Sequence, residues 1–153
     1  MKENNVIIRE MMYQDRQEVI SMMKVFYASP AVLSNGSIEI FNQDVDACVN
    51  DNPLLEGYVF EKENEIVGYA MVAKSFSTEY GKICIWIEDL YMKESFRGQG
   101  IGTRFFALIE EKYPDTIIKL EVEEENNRAI NMYQKCGYEI LEYLEMRKLN
   151  KNK

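Results

Sequence analysis

ICIWIEDLYMKESFRGQGIGT, residues 83–103, is an apolar run that reaches two adjacent carboxylates, crosses a short polar bridge and enters a glycine-rich turn. Ile83 to Ile87 are apolar at every position, the pattern of a strand covered on both faces. Glu88 and Asp89 break that pattern. After Arg97 the glycines alternate at Gly98, Gly100 and Gly102, and Ile101, Phe105, Leu108 and Ile109 follow at helical spacing. A strand thus feeds a turn that opens a helix. Glycines there admit positive φ and clear side chains from the inner surface. Backbone N–H groups at a helix start then attract anions. The turn is not a P-loop, because no G-x-x-x-x-G-K-[ST] is present. Nor is it a dinucleotide fingerprint: Gly98-x-Gly100-x-x-Thr103 lacks the third glycine, and the turn comes late in the chain.

Upstream, Val6 to Met11 reads as a first strand. Asp15 followed by Glu18 resembles a capping box ahead of a helical stripe, Val19, Met22, Met23, Phe26 and Tyr27. Ser29-Pro30 ends that helix. Ile38, Phe41, Val45, Cys48 and Val49 suggest a second, stopped by Asp51-Asn52-Pro53. Leu55 to Glu61 and Ile66 to about Ser77 read as two strands around the turn Lys62 to Glu65. Downstream, Ile117 to Val122 is a strand, Asn126 or Asn127 caps a helix that Gly137 closes, and Tyr138 to Leu149 supplies one or two short strands. The expected fold is α/β (α+β), with a meander of three strands, one parallel right-handed crossover and helices on both faces of a mixed sheet. A single domain spans residues 1–149, with a polar tail at 150–153.

The chain has 153 residues, enough for one domain with a sizeable core, and 46% are hydrophobic. Its net charge of −8 argues against a nucleic-acid partner, whose phosphates require cations. The same charge suits a cationic amine, or simply solubility. No apolar run approaches a membrane span, and the N-terminus does not read as a secretory signal. Three widely spaced cysteines, Cys48, Cys84 and Cys136, read as reduced thiols of a cytoplasmic protein. The absence of histidine excludes His-based triads and His-containing zinc sites.

Arg97-Gly98-Gln99-Gly100-Ile101-Gly102 resembles the R/Q-x-x-G-x-G/A signature of the GCN5-related N-acetyltransferase (GNAT) superfamily. Asn126 to Tyr138, NNRAINMYQKCGY, is similar to that family's N-x-x-A-x-x-x-Y-x-x-x-G-[FY] segment. The two blocks come in the family's order and together cover roughly Glu88 to Tyr138. The resemblance implies a mostly antiparallel sheet of six to seven strands, in which a bulge splays the central strand from the next and makes a slot for acyl-CoA. It implies acetyl-CoA as co-substrate and no metal. Arg97, Gly98, Gln99, Gly100, Ile101, Gly102 and Thr103 would cradle the pyrophosphate, largely through backbone N–H groups. Leu90 and Met92 would line the pantetheine arm with their backbones. A backbone amide near Tyr91 or Met92 would meet the developing oxyanion. Asn126 would face the cofactor. Tyr133 would lie by the thioester sulfur as general acid.

Attack on a thioester needs a neutral amine, whereas alkylamines are mostly protonated at neutral pH. A carboxylate or a water chain must therefore accept a proton. Glu88 and Asp89 are the acidic residues of the central strand, and adjacent strand residues face opposite ways unless a bulge intervenes. Glu88 is the expected base, as in some polyamine acetyltransferases of this superfamily; Asp89 binds substrate or braces a loop. Tyr27 joins Glu88 and Asp89 as an acceptor-site residue, and Phe26, Phe76 and Tyr80 are further candidates for lining that pocket or for plain packing. No cysteine has an evident activating base, so direct transfer in a ternary complex is expected. The expected acceptor is a small cationic amine. The alternatives are a protein or peptide N-terminus or lysine, or a non-catalytic acyl-CoA-binding module. A homodimer is compatible with the resemblance, but no stretch commits to one.

Overall fold

The computed structural model describes residues 5–152. Residues 1–4 of the expected domain and Lys153 of the expected tail lie outside the described residues. The elements are β1 (Val6–Glu10), α1 (Arg16–Tyr27), α2 (Ile38–Val49), β2 (Leu55–Lys62), β3 (Glu65–Ser77), β4 (Lys82–Met92), α3 (Ile101–Lys112), β5 (Ile117–Leu120) and α4 (Asn127–Lys135). They form one sheet in the order β1-β2-β3-β4-β5. The first four strands are antiparallel, and β5 runs parallel to β4.

The β2–β3 connection is a two-residue turn, with Lys62 opposite Glu65 and both Glu63 and Asn64 at positive φ. That is the backbone of a tight hairpin whose twist matches its strands. Residues of alternating parity then bury two separate clusters, one on each face of the sheet. Val19, Met22 and Met23 of α1 and Phe41 and Val45 of α2 pack on Val59, Tyr69 and Met71. On the other face, Ile101, Phe105, Phe106 and Ile109 of α3 pack on Phe60, Val67, Val72, Ile85 and Ile87. Ser37 caps α2 by accepting the Ile40 N–H at 3.2 Å.

Three expectations are corrected. First, the sheet has five strands among the described residues, not six to seven, because residues 138–149 join no ladder. Strand-forming composition produces a strand only where a neighbour offers backbone partners. Second, β5 stops at Leu120 rather than Val122, where its pairing with β4 ends. Third, Asp15 and Glu18 form no capping box. The Asp15 side chain makes no cap bond to α1; its carboxylate accepts the Met12 N–H at 2.7 Å and both Arg9 guanidinium nitrogens at 2.8 and 2.9 Å.

This pair ties β1 to the turn that starts α1. Asp15 is buried, and burial alone would raise its pKa; Arg9 and the Met12 N–H outweigh that and hold it below the ordinary value. Asp15→Ala leaves the half-buried Arg9 without its fork partner. We expect a loss of about 3 kcal/mol in urea unfolding, with the slope of the transition unchanged.

Candidate active site

The site starts from an irregularity in β4. Met71 pairs with Asp89 and Val72 with Ile87, so Glu88 is an extra residue with no opposite number on β3. A bulge of this kind shifts the alternation of side chains by one. Before it, Ile85 and Ile87 pack on the α3 face; after it, Leu90 and Met92 do. Asp89 and Tyr91 are turned toward α1 and α2 instead. The β4–β5 ladder ends one residue before the bulge, at Ile87 and Leu120. Glu88–Met92 therefore keeps β3 on one edge and loses β5 from the other, which is the expected splay.

Asp89 is only 3% exposed. Its two oxygens accept the hydroxyls of Tyr27, at 3.0 Å from α1, and Tyr69, at 2.8 Å from β3. Burial pushes its carboxyl up to about 6, against the lowering by the two phenols and with the added repulsion of Asp44 and Glu88. The phenols are raised in turn by burial and by Asp89. Phe26 packs edge to face on these two tyrosines, with ring centroids 5.4 Å from Tyr27 and 6.4 Å from Tyr69, and lies tilted 6.1 Å from Tyr91. Phe76 and Tyr80 are exposed and stand outside that cluster.

Glu88 presents an exposed side chain, yet enough protein surrounds its carboxyl to raise its pKa, with Glu145 adding to the effect. Asp44 on α2 is raised as well, by burial and by Glu88. It is a missed residue, and its signal is in the helix pattern: it stands three after Phe41 and four before Cys48, inside the apolar stripe. Tyr69 was also missed, since an apolar strand does not announce which tyrosine has a carboxylate facing it. Cys48 is pushed up to about 12 by burial and nearby carboxylates, so it is a protonated thiol near neutrality.

At the other end of the slot, Gly98 and Gly100 sit at φ 74° and 79°. Gly100 is the N-cap of α3 and has no side chain with which to cap it. Such a helix start directs its N–H groups outward and carries the positive end of the dipole. Helix α4 packs alongside. A Cβ added at Gly98 would come within 3.8 Å of Arg128 Nη2, and one at Gly102 within 3.5 Å of Met132 Cε and 3.9 Å of Leu90 Cδ2. Thr103 Oγ1 lies 3.8 Å from Cys136 Sγ. Arg128 was not anticipated, although a cation in the first turn of a helix opposes the dipole and so hints at an anion nearby. Arg97 donates to the Met92 carbonyl at 2.9 Å and lies 5.6 Å over the Tyr91 ring. It thereby braces the strand end instead of pairing with a surface carboxylate. Gln99 donates to the Ser95 carbonyl at 3.3 Å.

Asn126 is the N-cap of α4, its Oδ1 accepting the Ala129 N–H at 3.3 Å. Tyr133 packs against Phe106 and Tyr138, with ring centroids 5.9 and 6.2 Å away, and burial raises its phenol above the ordinary value. An open strand edge, a cation-flanked helix start and a protonated phenol thus lie along one side of β4.

Residues 21–138 match the acetyltransferase (GNAT) family. The chain belongs to that family. A thialysine N-epsilon-acetyltransferase of Bos taurus is 36% identical over 75 residues, 47% of this chain and 44% of that protein. A spermine/spermidine N(1)-acetyltransferase of Bacillus subtilis (strain 168) is 29% identical over 83 residues, 50% of this chain and 55% of that one. The chain spans about half the length of the curated relatives it matches. Among solved structures, AAC(6')-Iy in complex with the bisubstrate analog CoA-S-monomethyl-acetylneamine has a TM-score of 0.77 at 14% sequence identity, over 95% of this chain and 98% of that one. At that identity the likeness concerns the fold. No helix among the described residues of this GNAT chain is long and apolar enough to cross a membrane.

Two outcomes test this geometry. Gly100→Ala forces a left-handed backbone on alanine and costs about 1 kcal/mol, whereas Gly102→Ala meets only ordinary contacts and leaves thermal stability unchanged or higher. Asp89 titrates higher folded than unfolded, so the folded state holds its proton where the unfolded state has lost it. The Asp89 contribution to stability is then fully present below the ordinary aspartate range and is lost as pH rises through about 6, by up to about 3 kcal/mol. Asp89→Asn flattens that fall in a series of urea titrations across pH.

Proposed function

We propose that this GNAT-family chain is an N-acetyltransferase that moves an acetyl group from acetyl-CoA to a primary amine of a small cationic molecule, by direct attack in a ternary complex. The observation that carries the reading is the bulge at Glu88, coincident with the loss of β5 from the edge of β4. It joins an open strand edge, a carboxylate pair and the glycine turn in one slot.

The residues present fit the co-substrate. Gly98 to Thr103 offer a helix start without a capping side chain, and Arg128 flanks it, so this end suits the pyrophosphate. Leu90 to Met92 offer backbone beside the pantetheine arm. Asn126 contributes through its amide nitrogen, because its oxygen is committed to the cap. When bound, acetyl-CoA supplies an activated acetyl thioester.

Glu88 takes the proton of the incoming amine. Its raised pKa brings it nearer to neutrality than an ordinary glutamate, as a general base requires. Asp89 is unsuited to that task, since both its oxygens are held by phenols. It fixes Tyr27 and presents negative charge behind the aromatic wall, which favours a cationic acceptor. The N–H groups near Tyr91 and Met92 steady the developing oxyanion. Tyr133 gives its phenolic proton to the departing sulfur. The names of the thialysine and spermine/spermidine relatives support an aliphatic amine as acceptor.

Glu88→Gln and Tyr133→Phe are each expected to lower kcat about 100-fold on a responsive amine, with acetyl-CoA affinity by calorimetry unchanged. kcat/KM of the unaltered enzyme rises with pH through a value above the ordinary glutamate range, and Glu88→Gln abolishes that limb. Tight acetyl-CoA binding with no CoA release across a panel of polyamines, lysine analogues and peptides would instead indicate a binding module.

A further inference from the structure

On the acceptor side of the sheet, one pair of residues takes no part in the proton transfers. Ile85 and Ile87 of β4 pack on the α3 face, so Trp86 between them faces the α1/α2 side. Lys119 is its register partner on β5. Its neighbours Ile118 and Leu120 lean on the α3 core, so Lys119 also faces the α1/α2 side. Glu88 stands on this side too, since its charge is felt by Asp44 of α2 and Tyr27 of α1. Helices α1 and α2 cover β2 and β3 here, and neither core cluster takes in Trp86 or Lys119. Both are half-buried.

The Lys119 ammonium lies over the Trp86 ring, 5.4 Å from its centroid. Among the described residues no carboxylate comes within 4.0 Å of it, in a chain of net charge −8. Glu121, the next residue of β5 on this side, bonds Glu145 instead. The ring restrains a long, flexible side chain without using its N–H donors.

Opposite charges therefore stand at two points of one face. Glu88 is where the amine reacts, and Trp86 with Lys119 lies two strand residues away, about 7 Å, the reach of an extended lysine side chain. A polyamine would set a second cation against Lys119. An amino acid sets a carboxylate there.

We propose that Lys119, held on Trp86, receives the carboxylate of the acceptor, which is a free amino acid with a terminal side-chain amine. This rests on the acetyl transfer inferred above and narrows its acceptor. Lys119 determines specificity and is not catalytic, because it meets the end of the acceptor remote from the thioester. Lysines within a protein chain are disfavoured, since their carboxyl is spent in a peptide bond. The net charge works the other way, drawing a dication more strongly than a monocation. A preference for lysine over lysine amide therefore isolates the local contact.

Trp86 is the single tryptophan of the chain, so its fluorescence reports binding at this spot. With CoA present, lysine is expected to change that emission at a concentration at least about 10-fold below that of lysine amide. In CoA-release assays kcat/KM favours lysine by about the same factor. Lys119→Met erases the preference by raising KM for lysine with kcat unchanged, and Lys119→Arg keeps it. The fluorescence titration needs only the unaltered protein, so misfolding of a variant does not spoil the test. Equal half-saturation for lysine and its amide overturns the proposal, as does a preference that Lys119→Met leaves intact. CoA release from both without preference also overturns it, while the transferase reading stands. Lysine binding that needs Lys119, with no CoA release from any amine, upholds the carboxylate contact and overturns acetyl transfer.

Discussion

One extra residue in β4 sets the geometry on which the site depends. With Glu88 unpaired, the strand's alternation shifts, and a carboxylate that would otherwise face the α3 layer is turned toward α1 and α2. There Tyr27 and Tyr69 receive it. The same irregularity bends β4 where β5 stops, so the strand end keeps one partner and exposes its other edge. A regular strand would have turned Asp89 to the α3 face beside Ile85 and Ile87, away from both phenols, at a cost of several kcal/mol for an unpaired buried charge.

The two faces of the sheet then divide the labour. The α1/α2 face gathers rings and carboxylates. The α3/α4 face gathers the glycine turn, Arg128 and the half-buried phenol of Tyr133. β4 lies between them. Charge is distributed accordingly: a chain of net charge −8 nevertheless keeps Arg97, Arg104 and Arg128 in or beside the turn that opens α3. Local potential, not net charge, governs which group is held where.

The Arg9–Asp15 pair shows how the remainder supports this. It anchors α1 to β1 through one bidentate contact, and α1 in turn carries Phe26 and Tyr27 to the site. A second contact, Arg16 with Asp46, holds α1 to α2. These contacts tie β1, α1 and α2 to one another, and α1 brings the Tyr27 hydroxyl to Asp89 of β4.

By itself the sequence determined the order of elements, the hairpin at Glu63 and Asn64, the glycine turn and the family, because each rests on local periodicity or on contiguous residues. It also supplied Glu88, Asp89 and Tyr133 as chemically apt groups. It left open whether the carboxylates share a face, since that depends on pairing with β3 and on a bulge with no local signature. Tyr69 and Arg128 became visible only when distant strands and helices met. Asp15 looked like a helix cap and proved to be Arg9's partner, a contact made across a turn. Residues 138–149 looked like strands, but a strand is a property of two chains of backbone, and only the tertiary structure decides whether the second is there.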